Sequence, residues 1–367
     1  MRIGDRHYRS IWLAEDGETV EIIDQTLLPH QFDVAGLKRL EDAAVAIESM
    51  QVRGAPLIGA TAAYGFALAM NEDASNESIA RAAERLERTR PTAINLRWAI
   101  ERCVKSLDDT PEENRRDTAY RVAGEICDED AAINESIGDH GLDVIESILA
   151  RKSRGEPVRI LTHCNAGWLA TVDWGTALAP IYKAHDRGIA VHVWVDETRP
   201  RNQGASITSW ELGSHGVAHD VVVDNAGGHL MQKGLVDLVI TGTDRVASNG
   251  DVCNKIGTYL KALAAHDNGI PFYVALPSPT IDWSLESGEQ IPIEERSAEE
   301  VTHIWGRDDE GKRRRVRLTP DSASARNYGF DVTPSRLISG LVTERGVCDA
   351  TSKGLASLFP ETVRTHR

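Results

Sequence analysis

In residues 160–168, ILTHCNAGW, an apolar run ends on an imidazole, a thiol and an amide (His163, Cys164 and Asn165) and then breaks at Ala166-Gly167. Buried cysteines are common and usually inert. Other apolar runs of the chain, however, also finish on functional groups: Asp196, Glu197 and Arg199 after AVHVWV, Asp224 and Asn225 after DVVV, and Asp244 and Arg245 after LVDLVITGT. Any one strand-end aspartate is more often a helix cap or a turn residue. As a set, these groups converge, because the C-terminal ends of parallel strands open on one crevice. A thiol just before a helix is drawn towards thiolate by the helix amides. A carboxyl shielded at the end of an apolar strand is pushed up towards neutrality. Cys164 and Asp244 so placed can exchange protons with adjacent carbons or oxygens of one substrate.

Groups that suit an anion recur at expected helix starts. Arg53-Gly54-Ala55-Pro56 stands before a long apolar run, and Arg90 precedes a helix expected near Asn95. Gln203-Gly204 follows the turn of DETRPRNQG, and Asn254-Lys255 is expected to open the helix KIGTYLKAL. Free N–H groups at a helix start together with a guanidinium cradle a phosphate. Each motif alone reads as surface, but their recurrence points to a phosphate pocket.

These groups need a frame. Two short strands are expected at residues 11–14 and 19–24, around an Asp-Gly turn. From residue 34 to about 150 the apolar residues recur at helical spacing, as in Leu37, Leu40, Ala44 and Ile47. The apolar run 55–70 is broken by glycines and too short to span a bilayer, so it reads as a buried helix. The polar stretch RKSRGEP near Arg151 is the expected boundary between units. Beyond it, short runs rich in Val and Ile alternate with helix-length segments, the pattern of a parallel sheet with crossover helices. The expected fold is therefore α/β. Residues 1–150 form a mainly helical N-terminal domain with a small β element, and residues 151–367 form a Rossmann-like domain. No GxGxxG follows any strand, so a dinucleotide is not expected. The charge block at residues 306–320 is read as a solvated loop or edge element.

Composition narrows the partners. Of the 367 residues, 56 are acidic and 41 basic, and the net charge of −15 repels a nucleic-acid backbone. A small anion would need a local basic pocket working against that field. The five cysteines, Cys103, Cys127, Cys164, Cys253 and Cys348, are scattered without CxxC spacing, which suggests neither a disulfide framework nor a zinc site and fits a reducing cytoplasm. No membrane segment and no signal core is read at MRIGDRHYRS.

The chain resembles the methylthioribose-1-phosphate isomerase family, which is related to the regulatory subunits of translation initiation factor 2B and to archaeal ribose-1,5-bisphosphate isomerases. The likeness runs in order through IDQTLLP, RGAPLIGATAAYG, TRPTAINL, THCNAG, DETRPRNQGA, GTDRVASNGDVCNKIGTY, IPIEER and FDVTPSRLISGLVTERG. It implies that Cys164 and Asp244 are the catalytic pair, with Asp244 the proton donor. It also implies that Arg53, Gly54, Ala55, Arg90, Gln203, Asn254 and Lys255 hold the substrate. The implied reaction is an aldose-to-ketose isomerisation of 5-methylthioribose 1-phosphate in methionine salvage, a route of methionine biosynthesis, with neither metal nor organic cofactor. A homodimer through the second domain is implied as well.

Some positions depart from the family pattern. Trp168 follows CNAG where small residues are usual, Asp173 and Trp174 lie just beyond it, and GTDR stands for the commoner GADR. Trp168 either shapes the pocket for the 5-substituent or packs against the sheet. The alternatives are isomerisation of 5-deoxyribose 1-phosphate or ribose 1,5-bisphosphate, and a non-catalytic regulatory subunit on the same scaffold.

Overall fold

The computed structural model describes residues 1–365 other than 5, 91 and 92, with 363–365 as backbone only. Pro91 and Thr92 of the TRPTAINL motif therefore lie outside the described residues. After a short antiparallel pair, Arg2–Ile3 with Arg6–His7, the first half has three antiparallel strands in chain order, β1 (Ile11–Leu13), β2 (Val20–Ile23) and β3 (Val34–Leu37). The third had been expected to start the helical region. It pairs instead with β2, through Val20↔Leu37 to Ile23↔Val34.

Five helices follow: α1 (Leu40–Glu48), α2 (Ala55–Glu72), α3 (Asn76–Glu87), α4 (Ile94–Asp108) and α5 (Arg115–Leu149). Helix α2 is the apolar run of the sequence, buried without interruption from Leu57 to Met70. A helix apolar on every side needs neighbours on every side. Accordingly α1, α3, α4 and α5 all pack on it. Gly59 and Gly65 allow this closeness, since a Cβ at Gly59 would meet the Asn95 carbonyl oxygen at 2.9 Å. Helix α5 serves both halves. Val122, Ala123 and Ile126 lie in the core around α2, whereas Ile137, Leu142 and Ile145 lie in the core of the second half. Among the described residues, no helix is long and apolar enough to cross a membrane.

The second half is built on β4 (Val158–Thr162), α6 (Ala179–Asp186), β5 (Val191–Asp196), α7 (Ser209–His215), β6 (His219–Val222), α8 (Ala226–Gln232), β7 (Leu238–Thr241), β8 (Arg245–Ala247), β9 (Val252–Lys255), α9 (Thr258–Asp267) and β10 (Phe272–Ala275). It continues through β11 (Ile281–Asp282), a hairpin of β12 (His303–Arg307) and β13 (Arg313–Arg317), and then β14 (Phe330–Thr333), β15 (Gly340–Thr343) and β16 (Gly346–Cys348). The main sheet has the order β16-β15-β10-β7-β4-β5-β6, parallel except for its β15–β16 hairpin edge. Side chains alternate between its faces: Ile160 and Ile240 belong to the core under α6, and Leu161 and Val239 to the core under α9. A smaller sheet, β11-β8-β9-β14, stands beside it. The charge block forms the β12–β13 hairpin, with every residue of β13 exposed, in keeping with an edge element.

One feature of this topology decides where chemistry can occur. From β4 the chain winds outward to β5 and β6, then returns to β7 on the opposite side of β4. The strand order reverses between β4 and β7, and ligands of open parallel sheets bind outside the strand ends at such a switch point.

Candidate active site

Cys164 follows β4 and Asp244 follows β7, so the two stand on either side of the switch point. The strand ends approach closely because Gly242 has no side chain; a Cβ there would lie 2.5 Å from that of Ala166. Both residues line one cavity of about 700 Å³ of empty volume, open solvent included. Arg53, Gly54, Ala55, Arg90, Gln203, Asn254 and Lys255 line it too, so the nine positions that the resemblance implies for the site meet around a single space, while the other strand-end groups, Asp196, Glu197, Arg199, Asp224, Asn225 and Arg245, lie outside its lining.

Cys164 takes a left-handed backbone conformation, φ 68°, and its N–H donates to Thr198 Oγ1 at 2.8 Å while its carbonyl accepts from Thr208 Oγ1 at 2.8 Å. This turn aims the thiol into the cavity mouth. The helix expected directly after it is absent: only a single turn, Trp168–Ala170, occurs before α6 begins at Ala179. The glycines at 167 and 175 bridge to each other there instead. The thiolate consequently has no helix behind it, and burial pushes the Cys164 thiol up, with Arg53 and Lys255 drawing it back. Burial likewise raises the Asp244 carboxyl, against Lys255, Arg90 and Arg53. Its side chain is partly open to the cavity, and no described residue hydrogen-bonds to its carboxylate. In both groups burial works against the charged form and the neighbouring cations work for it.

The cations come from three directions. Arg53 precedes α2, whose first residues sit under Gly54 at φ 94°. A Cβ on Gly54 would fall 2.3 Å from the Ala170 carbonyl oxygen, so only glycine brings the helix start against the Cys164 loop. Arg90 lies 3.4 Å from Glu294 of the IPIEER stretch, and its buried Nε has no partner. Glu294 in turn pairs with Arg296 at 2.8 Å and Arg296 with Glu300 at 2.9 Å, a chain that ties Arg90 to the segment 294–300. Lys255 ends β9 and does not open a helix; its ammonium donates to the Gly329 carbonyl at 2.8 Å and lies 4.6 Å from the Phe330 ring centroid. Burial lowers its affinity for its proton, against the pull of Cys164 and Asp244. Asn254, one residue earlier, donates to Thr258 Oγ1 at 3.0 Å, and the buried Oε1 of Gln203 has no partner. Unpaired polar atoms in a cavity wall are what a polar ligand would satisfy.

Two further groups adjoin the wall: Glu211, which the sequence did not single out, and a cluster of strand-end residues that it did. Glu211, 1% exposed on α7, collects four donors: the N–H groups of Trp168 and Leu169, the Asn165 amide and the Tyr182 hydroxyl. Burial pushes its carboxyl up, while Tyr182, Asn165, Leu169 and Arg53 hold it down. The second group joins His163, Asp196 and Asp224, whose ligand atoms lie within 4.8 Å of one another in a cluster that could hold a metal ion. The Lys261 ammonium already supplies positive charge there, 3.1 Å from Asp196 and donating to the Asp224 carbonyl. His163 is held between Asp196 at 2.9 Å and the Ile256 carbonyl at 2.9 Å, which fixes the strand end that carries Cys164.

Of the positions that depart from the family pattern, Trp168, Asp173 and Trp174 lie away from the cavity lining. Trp168 is 2% exposed, packed in the sheet core with Trp210 at a ring separation of 6.4 Å. Asp173 binds the Met1 amino group at 2.6 Å and His7 at 2.8 Å, and the Trp174 ring faces Lys183. Thr243 lines the cavity, but its hydroxyl lies 2.7 Å from the Cys253 carbonyl.

With this geometry in hand, the relatives can be placed. The model of the initiation factor 2 subunit family matches residues 51–350. The methylthioribose-1-phosphate isomerase of Sinorhizobium medicae is 63% identical over 98% of this chain and 100% of its own. This chain belongs to the methylthioribose-1-phosphate isomerase family. The crystal structure of 5-methylthioribose 1-phosphate isomerase from Pyrococcus horikoshii is similar across the whole fold, with a TM-score of 0.82 and 38% identity, covering 98% of this chain and 99% of that one. A structure of A. fulgidus described as the delta subunit of translation initiation factor 2B is also similar, at TM-score 0.80 and 36% identity, covering 96% of this chain and 100% of that one. The family fold is thus shared with a protein described as a subunit of a translation initiation factor, and fold alone does not separate the two.

Proposed function

We propose that this chain is an aldose–ketose isomerase that converts 5-methylthioribose 1-phosphate to 5-methylthioribulose 1-phosphate in methionine salvage, with Cys164 and Asp244 as its acid–base pair. The observation that carries this reading is the thiol and carboxyl facing one cavity across the switch point, with Arg53, Arg90 and Lys255 in its walls. Phosphate on the anomeric oxygen blocks spontaneous ring opening. The ring oxygen must therefore be protonated before hydrogen can move from C2 to C1. Asp244, kept towards its protonated form by burial, is suited to donate that proton. In an enediol route Cys164, as the thiolate that Arg53 and Lys255 favour, takes up the C2 proton and returns it to C1; in a hydride route its thiol polarises a hydroxyl. Arg53, Arg90 and Lys255 hold the phosphate, with the open N–H groups at Gly54 and Ala55, while Gln203 and Asn254 bind sugar hydroxyls.

Ribose 1,5-bisphosphate fits less well, because it needs a second anion site. In the groove beyond the cavity, Arg201 and Arg315 are paired with Glu300 and Glu299, and Arg313 is engaged by the Thr26 carbonyl. A non-catalytic subunit has no use for a raised carboxyl and a thiol sharing one cavity. We further propose a homodimeric, cytoplasmic enzyme, and light scattering of the purified chain measures the first of these.

The deciding experiment compares kcat/KM for 5-methylthioribose 1-phosphate, 5-deoxyribose 1-phosphate and ribose 1,5-bisphosphate side by side. Preference for the first is expected. Preference for the bisphosphate overturns the substrate assignment, and no turnover of any of the three returns the chain to the regulatory reading.

A further inference from the structure

We propose that Glu211 is a positioning residue that fixes the orientation of Arg53 through Asn165. The inference rests on Arg53 acting as a phosphate ligand, as proposed above.

The connection is a short, fully buried hydrogen-bond chain. Glu211 Oε1 accepts from the Leu169 N–H at 3.1 Å and from Asn165 Nδ2 at 3.0 Å. Its Oε2 accepts from the Trp168 N–H at 3.0 Å and the Tyr182 hydroxyl at 2.7 Å. Asn165 Nδ2 also donates to Thr208 Oγ1 at 3.2 Å, whose own proton goes to the Cys164 carbonyl. With both amide hydrogens committed to oxygens, Asn165 must turn Oδ1 the other way, which settles its two-fold ambiguity. On that side Arg53 Nη1 meets Oδ1 at 2.5 Å and Nη2 meets the Asn165 backbone oxygen at 2.7 Å. The guanidinium is thereby held by one residue, which leaves its remaining N–H groups to the cavity.

A stabilising role alone does not account for this arrangement. A buried carboxylate is usually no better for stability than a well-packed apolar residue, so its retention calls for another reason. The fold also makes room for it at a specific point. A Cβ on Gly167 would lie 1.7 Å from Glu211 Oε2, so glycine at that position is a condition of the carboxylate's being there. Glutamine cannot replace it: whichever way its amide turns, the NH₂ group faces a backbone N–H, of Trp168 or of Leu169. Because Arg53 would bind phosphate in the ground state and the transition state alike, its misorientation weakens binding more than turnover.

The test uses the full-length enzyme as Glu211→Gln, Asn165→Ala, their double variant, and Arg53→Ala as a control. The measurements are KM and kcat for 5-methylthioribose 1-phosphate, the inhibition constant of inorganic phosphate, and the melting curve by circular dichroism. Glu211→Gln is expected to raise KM and the phosphate inhibition constant together, by roughly tenfold or more, with a smaller change in kcat. Asn165→Ala is expected to do the same, and the double variant to be little worse than Asn165→Ala alone, since both cut one chain. If Arg53→Ala raises both constants while folded Glu211→Gln and Asn165→Ala leave them unchanged, the inference is overturned. If Arg53→Ala itself leaves both unchanged, it is the phosphate role of Arg53 that fails. Should Glu211→Gln not fold, Asn165→Ala decides alone: raised constants support the chain, and unchanged constants overturn it.

Discussion

Arg53 lays both terminal nitrogens on Asn165, 2.5 Å from its side-chain oxygen and 2.7 Å from its backbone oxygen. A guanidinium can make this double contact with its planar fork and still present three N–H groups to an anion, whereas an ammonium has only three donors in all. Arg53→Lys should therefore raise KM for the sugar phosphate by about 10- to 100-fold, the loss of one charge-assisted hydrogen bond, with kcat less affected. Steady-state kinetics checks this, and an unchanged KM would remove Arg53 from the phosphate site.

Lys255 and Arg53 are the cations that restrain the rise of the Cys164 thiol caused by burial. Removing the ammonium in Lys255→Met should push that thiol higher still. Less thiolate is then present at a given pH, so alkylation of Cys164 by iodoacetamide should slow at pH 8 and its pH profile move to higher pH. Peptide mass spectrometry separates Cys164 from half-buried Cys348. A profile that stays put, or moves to lower pH, contradicts the electrostatics described.

Asp130 on α5 accepts the Val172 N–H at 2.7 Å, tying the loop after Cys164 to the helix. Burial raises its carboxyl from 3.8 to about 7, against the pull of Val172 and Asn134. The folded state therefore holds this proton more tightly than the unfolded state does. Its contribution to stability is complete below pH 3.8 and is lost as pH rises through about 7. Asparagine keeps the acceptor without the charge. Asp130→Asn should gain in melting temperature relative to the parent between pH 5 and pH 8, an effect reduced by the side chain's partial exposure. A difference in Tm that is flat or falls over that range contradicts the assignment.

Much of the fold was legible because two patterns are local. The apolar run that became α2 has no polar face, and the Val- and Ile-rich runs of the second half end on functional groups. Those ends lie together because parallel strands share a direction, so Cys164 and Asp244 fall on one edge. The errors have physical causes as well. The residues after Cys164 are apolar enough to suggest a helix, but Glu211 takes the Trp168 and Leu169 amides and the Gly167–Gly175 bridge closes a loop. Asn254 and Lys255 pair with β14 on a second sheet, a partnership formed with residues more than seventy positions away. Val34–Leu37 likewise became a strand because β2 offered an edge. Glu211 escaped notice for a related reason: between Trp210 and Leu212 it reads as one acidic residue on a short helix, and its meaning lies in contacts with residues 165–182. Trp168, a visible departure from the family pattern, packs in the core away from the cavity lining.

We propose that Asp244 and Cys164 carry proton chemistry on a bound sugar phosphate. The most direct measurement is kcat for 5-methylthioribose 1-phosphate in Asp244→Asn, which keeps the shape of the carboxyl without an acid. A fall of about 10²- to 10⁴-fold is expected, with KM within a few-fold of the parent. A kcat within a few-fold of the parent would contradict it.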